Sequence, residues 1–149
     1  MPEVRELPAG ETRRAARALL ELRPQYRDAA TLVARVDDVL RPGGYRLAAS
    51  FEAGADEAVA AAGFRVTETI AWGRAFYVDD FVTLPEARRR GHADALFAWL
   101  DEEAARLACD QFHLDSGVGP EREDAHRFYF RHRLRITSYH FARAVEPHR

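Results

Sequence analysis

The sequence has 149 residues, of which 47% are apolar and 31% charged, and these proportions predict a single globular domain over 1–149 rather than a disordered or fibrous chain. Its formal net charge of -2 gives no overall attraction to nucleic acid or to an anionic membrane, so a basic site must be local. All 22 basic residues are arginine. The lone cysteine, Cys109, forms no internal disulfide, and without a long apolar run or a leader-like N-terminus the chain is expected to be cytoplasmic.

The first half of the chain predicts a strand, two helices and an antiparallel meander. We expect a strand at 4–7 and a helix at 11–22, where apolar residues recur at helical spacing. Asp28 is the expected N-cap of a second helix, which runs to residue 40 and stops at a Pro-Gly-Gly segment. Alternation of apolar and polar residues then predicts three strands, at 45–51, 58–70 and 75–84.

The second half predicts a helix at 93–108, a strand at 111–115, a helix at 122–132 and a closing strand at 135–145, which is rich in β-formers. A meander that feeds a strand–helix–strand crossover makes a mixed α/β sheet. We therefore expect a mostly antiparallel central sheet rather than a doubly wound parallel one.

The turn between the third meander strand and the helix at 93–108 has the composition of an anion site. Arg88, Arg89 and Arg90 precede Gly91, where the helix is expected to begin. A helix start has unpaired N–H groups and partial positive charge, small residues let a diphosphate approach the main chain, and arginine adds bidentate donors. On this stretch alone, a solvated basic turn is an equal alternative.

Two segments of the chain resemble the GNAT superfamily of acyl-CoA-dependent N-acetyltransferases. Its cofactor signature is a strand followed by Arg/Gln-x-x-Gly-x-Gly/Ala at a helix start, and residues 82–85 followed by Arg-Arg-Arg-Gly-His-Ala at 88–93 match it. Its second signature, Ala-x-x-aromatic-Tyr on the penultimate helix, matches 125–129. The chain departs from the family at Arg122, where Asn is frequent, and at 133–134, where Gly-Phe is frequent. The resemblance implies helices on both faces of the sheet and a splayed strand–helix–strand wedge for the cofactor.

The resemblance also implies that acetyl-CoA is the co-substrate and that a set of residues binds it. Main-chain N–H groups of the turn would hold the CoA diphosphate, the end of the preceding strand would pair with the pantetheine amides and offer a donor to the thioester oxygen, and the penultimate helix would lie beside the cofactor. These residues are Arg88, Arg89, Arg90, Gly91, His92, Ala93 and Asp94 in the turn, Phe81, Val82 and Thr83 in the strand, and Ala125 and Phe128 in the helix.

Direct attack of an amine on a thioester needs a neutral amine, a polarised carbonyl and a proton for the departing thiolate. Tyr129 matches the family's phenolic general acid, with a core aromatic as the alternative. The candidate bases are Glu68, Asp79 and Asp80, of which we favour Glu68 or Asp79. Strand alternation puts Asp79 and Asp80 on opposite faces.

The acceptor is expected to be a primary amine of a small molecule or peptide, and the acidic strand residues favour a cationic one. The scattered histidines lack zinc spacing, so no metal is expected, and Cys109 is expected to be structural. One alternative is a non-catalytic acyl-CoA-binding domain of the same fold. Another is a nucleic-acid binder that uses the arginines, which the sequence pI near 6.3 disfavours. No membrane partner is expected, and homodimers are common in the family.

Overall fold

The computed structural model of the protein describes residues 1–147. The chain divides into two compact units, Met1–Leu114 and Asp115–Arg149. The first unit holds a five-stranded sheet, and the second contains one α-helix among its described residues. The single domain expected over 1–149 stays a prediction.

The sheet of the first unit has its strands in the order of the sequence. Strands 1 to 4 pair antiparallel, and the fifth pairs parallel with the fourth. This arrangement confirms the mixed, mostly antiparallel sheet. The strands are β1 (Glu3–Leu7), β2 (Arg46–Phe51), β3 (Ala60–Thr69), β4 (Gly73–Thr83) and β5 (Gln111–Leu114).

The helices follow the predicted order, with less regular geometry in the second one. Asp28 caps α2 by accepting a hydrogen bond from the Thr31 N–H at 2.8 Å, as predicted. The rest of the predicted helix is a π-helical turn at Arg35–Leu40 followed by a 3-10 turn at Arg41–Gly43. The α-helices are α1 (Ala16–Leu22), α2 (Ala29–Ala34), α3 (His92–Arg106) and α4 (Glu123–Arg131).

Helices pack on both faces of the sheet. On one face, Leu19 of α1 and Leu32 of α2 join Leu47 and Val82 of the sheet in a buried cluster. On the opposite face, apolar side chains of α3 cover the other side of strands β2 to β4, notably at Leu96, Leu100, Phe64, Phe76 and Val78. Strands β2 to β4 therefore pack one face against α1 and α2 and the other face against α3, as their alternating pattern requires.

The sheet has two irregularities around β4. The register between β3 and β4 shifts at Gly63/Phe64, so that Asp79 is an extra residue in a β-bulge. The ladder between β4 and β5 runs only from Ala75 to Val78, although β4 continues to Thr83. The last part of β4 therefore extends past the end of β5 at Leu114, and within residues 1–147 no strand pairs with it on that edge. The expected splayed wedge stays a prediction.

The closing strand predicted at 135–145 is wrong. After α4 the described chain contains no helix or strand, and Ile136, Tyr139 and Phe141 are largely exposed. A β-forming composition gives a strand only where a partner strand supplies hydrogen bonds and side-chain packing. Within residues 1–147, this segment has no such partner strand.

No helix within residues 1–147 combines the length and the apolar content needed to span a bilayer.

Candidate functional site

The arginine turn, residues 88–91, links β4 to α3, as the sequence predicts. A 3-10 turn at Pro85–Ala87 follows the strand, and both Arg89 (φ 65°) and Gly91 (φ 85°) adopt left-handed conformations before α3 begins. Gly91 is the N-cap and offers no side-chain cap to the first N–H groups of this 15-residue helix. The helix start is thus a ready anion site by its partial charge and its donors.

The side chains of the turn add positive charge. Arg88, Arg89 and Arg90 are all exposed. Arg90 donates to Glu52 at 3.0 Å, whereas Arg88 and Arg89 form no ion pair within residues 1–147. Two guanidinium groups that form no ion pair in the described part of the chain thus lie beside a helix N-terminus, and such a donor set fits a diphosphate such as that of CoA.

The end of β4 lies directly before this turn. Phe81, Val82 and Thr83 pair with β3 on one edge, and β5 contributes no ladder hydrogen bonds beyond Val78 on the other. The Phe81 ring packs edge-on against Phe97 of α3, with ring centroids 6.0 Å apart. The main chain at this edge of β4 has the geometry to pair with an extended amide chain.

The structure places the other turn residues in two environments. Ala93 is half-buried and Asp94 is exposed in the first turn of α3. His92 turns its side chain into the core, where it is 1% exposed, so only its main chain faces the predicted cofactor site. Asp94 complements the dipole of α3.

Asp79 and Asp80 lie on the same face of the sheet, which corrects the expectation of opposite faces. The bulge at Asp79 breaks the two-residue alternation. Asp80 accepts hydrogen bonds from the Tyr45 hydroxyl and from Arg23 Nε, each at 2.9 Å. Asp79 accepts a bidentate pair of hydrogen bonds from the Arg65 guanidinium. Burial raises the pKa of Asp79 in spite of the neighbouring Arg65.

Glu68 does not join these two carboxylates. It lies near the other end of β3, is exposed, and accepts from Arg74 Nε at 2.7 Å. The strand rise places it roughly 13 Å along β3 from the bulge.

A cavity of about 160 Å³ opens beside Asp80, between the first two helices and the sheet. The Tyr45 side chain lies at this cavity, and burial, followed by the nearby Asp80 carboxylate, raises the pKa of its hydroxyl. Tyr45 and Arg23 were not predicted from the sequence. The signal in the sequence that could have indicated Tyr45 was Gly63, because a glycine inside a strand often marks the close approach of another group to the backbone. The lining residues are Leu19, Arg23, Gln25, Tyr26, Leu32, Arg35, Val36, Leu40, Tyr45 and Asp80.

The remaining predicted residues belong to the second unit. Ala125, Phe128 and Tyr129 lie half-buried on α4, and the Phe128 and Tyr129 rings meet edge-on at 5.9 Å. Burial raises the pKa of the Tyr129 hydroxyl, so this group stays protonated at neutral pH.

Within the described residues, no group of three or more His, Cys, Asp or Glu side chains is arranged to hold a metal ion. The expected lack of a metal stays a prediction.

Comparison with known proteins identifies a relative and shared folds. A curated aminoalkylphosphonate N-acetyltransferase from Salmonella typhimurium is 31% identical over 68 residues, which make up 46% of this chain and less than half (43%) of that protein. The solved aminoglycoside N-acetyltransferase AAC(6')-Iy with CoA superposes with a TM-score of 0.80 at 14% identity, over 99% of this chain and 96% of that one. The solved structure of an aminoglycoside acetyltransferase from an uncultured soil metagenomic sample superposes with a TM-score of 0.79 at 22% identity. The match covers 98% of this chain and 99% of that one.

These two structures show the fold. The model of the acetyltransferase (GNAT) family matches residues 5–133, which is most of the chain. Given this match and the mixed, mostly antiparallel sheet, the protein belongs to the acetyltransferase (GNAT) family.

Proposed function

We propose that the protein transfers an acetyl group from acetyl-CoA to a primary amine of a small molecule or peptide by direct attack. One observation carries the proposal: an exposed arginine turn at the start of α3 follows a strand whose last residues extend past the end of its parallel neighbour. Membership of the family supports it. The proposal includes residues 1–149 acting as one domain in the cytoplasm, without a nucleic-acid or membrane partner.

In this proposal, the first unit binds most of the cofactor. The main chain from Arg89 to Asp94 holds the diphosphate with help from the Arg88 side chain, and the β4 edge at 81–83 pairs with the pantetheine amides. The sequence motif alone assigns Ala125 and Phe128 of α4 to the cofactor as well. The structural support is the N-terminus of α3, which has no side-chain cap, and the two arginines that form no ion pair within residues 1–147.

Acetyl-CoA, when bound, supplies a thioester whose carbonyl carbon accepts the amine. Asp79 is the proposed base, acting directly or through a water, because its raised pKa makes it a better proton acceptor than an ordinary aspartate. Tyr129 is the proposed acid, since its hydroxyl stays protonated and can donate to the leaving sulfur. A main-chain N–H of residues 81–83 polarises the carbonyl.

The acceptor is proposed to be a small amine that also carries an anionic group. The two aspartates pair with Arg65 and Arg23, so their charge is already compensated and no longer favours a purely cationic acceptor. Arg35 lines the cavity and has no ion pair within residues 1–147. A cavity of about 160 Å³ is the size that holds a benzene-sized molecule. The Salmonella relative, by its name, acts on an aminoalkylphosphonate, which has both groups.

The test is calorimetry with CoA, followed by a panel of amines with acetyl-CoA and a free-thiol readout. The panel pairs aminoalkylphosphonates and amino acids with polyamines and aminoglycosides of similar amine content. We expect CoA binding and the fastest thiol release with an aminoalkylphosphonate. CoA binding without turnover on any amine would favour the non-catalytic alternative, and absence of CoA binding would exclude both.

A further inference from the structure

A buried histidine anchors the arginine turn to the sheet. His92 is the first residue of α3 and is 1% exposed, and its Nδ1 lies 2.7 Å from the hydroxyl oxygen of Ser50, which is 0% exposed on β2. The other ring nitrogen, Nε2, lies 3.2 Å from Oε1 of Glu52, just beyond the end of the same strand. The two atoms are not aligned for a hydrogen bond, so Nε2 has no hydrogen-bond partner within residues 1–147.

The contacts of Glu52 extend this connection to the other side of Gly91. Arg90 donates to the same carboxylate oxygen at 3.0 Å. Residues 90 and 92, on either side of the left-handed Gly91, are therefore both held by the end of β2. The hydrogen bond from Arg90, with a further contribution from His92, lowers the pKa of Glu52.

Core packing alone does not require a histidine at position 92. An apolar side chain would fill the same space without a buried hydroxyl and imidazole to satisfy, and replacing both partners of a buried hydrogen bond by apolar groups can be nearly neutral for stability. Compared with apolar packing, a hydrogen bond between Ser50 and His92 also fixes the orientation of the His92 side chain relative to β2. The backbone at a glycine is the most flexible in the chain, so N–H groups that follow it are preorganised only if their neighbours are anchored.

We propose that Ser50 and His92 are positioning residues for cofactor binding: their hydrogen bond fixes the start of α3 so that its free N–H groups converge on the CoA diphosphate. This inference rests on the proposed function, because it assumes that CoA is the anion bound at the turn. Neither side chain touches the cofactor. Both act through the main chain at 91–94, and Glu52 supports them by holding Arg90 and His92 to β2.

The decisive variant is the double replacement Ser50→Ala/His92→Leu, which removes both polar partners at once. We expect a melting temperature close to that of the wild type. We also expect the Kd for CoA and the KM for acetyl-CoA to rise about tenfold, as one lost buried hydrogen bond allows. The kcat at saturating acetyl-CoA and the KM for the amine should stay within about twofold. Calorimetry, thermal unfolding and the free-thiol assay give these quantities.

Two further variants separate positioning from general stability. His92→Asn places an amide atom near the position of Nδ1, so it can keep the bond to Ser50 and should recover most of the CoA affinity. Thr12→Val removes another fully buried hydroxyl, which donates to Asp37 at 2.6 Å away from the turn. It should lower the melting temperature and leave the KM for acetyl-CoA unchanged.

The outcomes are distinct. A double variant that binds CoA as tightly as the wild type overturns the positioning role, whatever its melting temperature, as does a Thr12→Val variant with an equal rise in KM. If His92→Leu variants fail to fold, Ser50→Ala alone must still weaken CoA binding by several fold. A wild-type protein that does not bind CoA contradicts the proposed function instead.

Discussion

Gly63 shows how one residue shapes the cavity beside Asp80. A Cβ built at this position would lie 1.6 Å from the Tyr45 hydroxyl oxygen, so only the absence of a side chain lets Tyr45 cross β3 and reach Asp80. Because Tyr45 and Asp80 both line the cavity, the glycine controls its shape without lining it.

Gly63→Ala is therefore expected to displace the Tyr45 ring and break its hydrogen bond to Asp80. Overpacking of this kind costs about 1–3 kcal/mol. Chemical denaturation measures the loss, and the KM for the amine should rise more than the KM for acetyl-CoA. Gly43→Ala is the matched control, since a Cβ there meets nothing within 4 Å. Equal stability of the two variants would contradict the steric argument.

Asp79 gives a second prediction at the scale of the residue. Asp79→Asn should lower kcat about 100-fold, the size of a general-base contribution, and leave the Kd for CoA unchanged. Because burial raises the pKa of Asp79, the wild-type rate should fall with decreasing pH at a higher pH than an ordinary aspartate would give, and this limb should vanish in the variant. Steady-state pH profiles measure both effects.

Two parallel variants complete the test of Asp79. Asp56→Asn serves as the control, since Asp56 is exposed and paired with Arg13. A large loss of kcat in Glu68→Gln, with none in Asp79→Asn, would assign the base to Glu68.

At the scale of the elements, an ionic network joins β1, β2 and α3. Glu103 of α3 is 7% exposed and accepts hydrogen bonds from Arg106 of the same helix and from Arg46 of β2. Arg46 also donates to both carboxylate oxygens of Glu6 on β1, at 2.7 and 2.8 Å. Arg106 and then Arg46 lower the pKa of Glu103 to about 2.

This lowered pKa predicts an acid-sensitive contact between α3 and the sheet. A carboxyl that is more acidic in the folded than in the unfolded state stabilises the protein above the unfolded pKa of 4.5, and this stabilisation is lost as the pH falls towards about 2. Two to three pKa units correspond to a loss on the order of 3 kcal/mol. Urea unfolding between pH 6 and about 2 should show a steeper loss for the wild type than for Glu103→Gln.

Glu102→Gln is the control for this network, because the neighbouring side chain on α3 is exposed. If Glu103→Gln and the wild type lose stability in parallel over this pH window, the network does not stabilise the fold through Glu103.

At the scale of the whole molecule, the proposed mechanism joins residues of both units. The arginine turn, which is proposed to bind the cofactor, and Asp79 belong to Met1–Leu114, and Tyr129 belongs to Asp115–Arg149. The proposal that the chain acts as one domain therefore predicts that a change on α4 alters chemistry at a cofactor held by the first unit.

Tyr129→Phe tests this prediction. The variant should lower kcat at least 100-fold, as loss of a general acid does, with little change in the Kd for CoA. Initial-rate assays of thiol release measure kcat, and calorimetry measures the Kd for CoA. Tyr139→Phe is the control, since Tyr139 is 86% exposed. Full turnover in Tyr129→Phe would remove the acid role and leave Tyr129 as a packing residue beside Phe128.

Much of the fold could be predicted from the sequence, because local patterns encode it. The alternation in β2, β3 and β4, the apolar spacing of α3 and the Asp28 cap each depend on neighbours within a few residues. The arginine turn is also local, because an anion site at a helix start needs only a short stretch of small and basic residues. The strand order and the position of the arginine turn between β4 and α3 were therefore predictable, whereas its binding of a cofactor stays a prediction.

The tertiary structure alone decided the features that depend on distant partners. The bulge that turns Asp79 and Asp80 to one face comes from the register against β3, and the cavity arises where Tyr45 passes over Gly63. The inward side chain of His92 depends on Ser50, 42 positions away. The segment at 135–145 has a strand-like sequence but no partner strand within the described chain. A local sequence pattern predicts which face of a strand or helix a residue occupies, whereas tertiary packing determines which distant residues it contacts there.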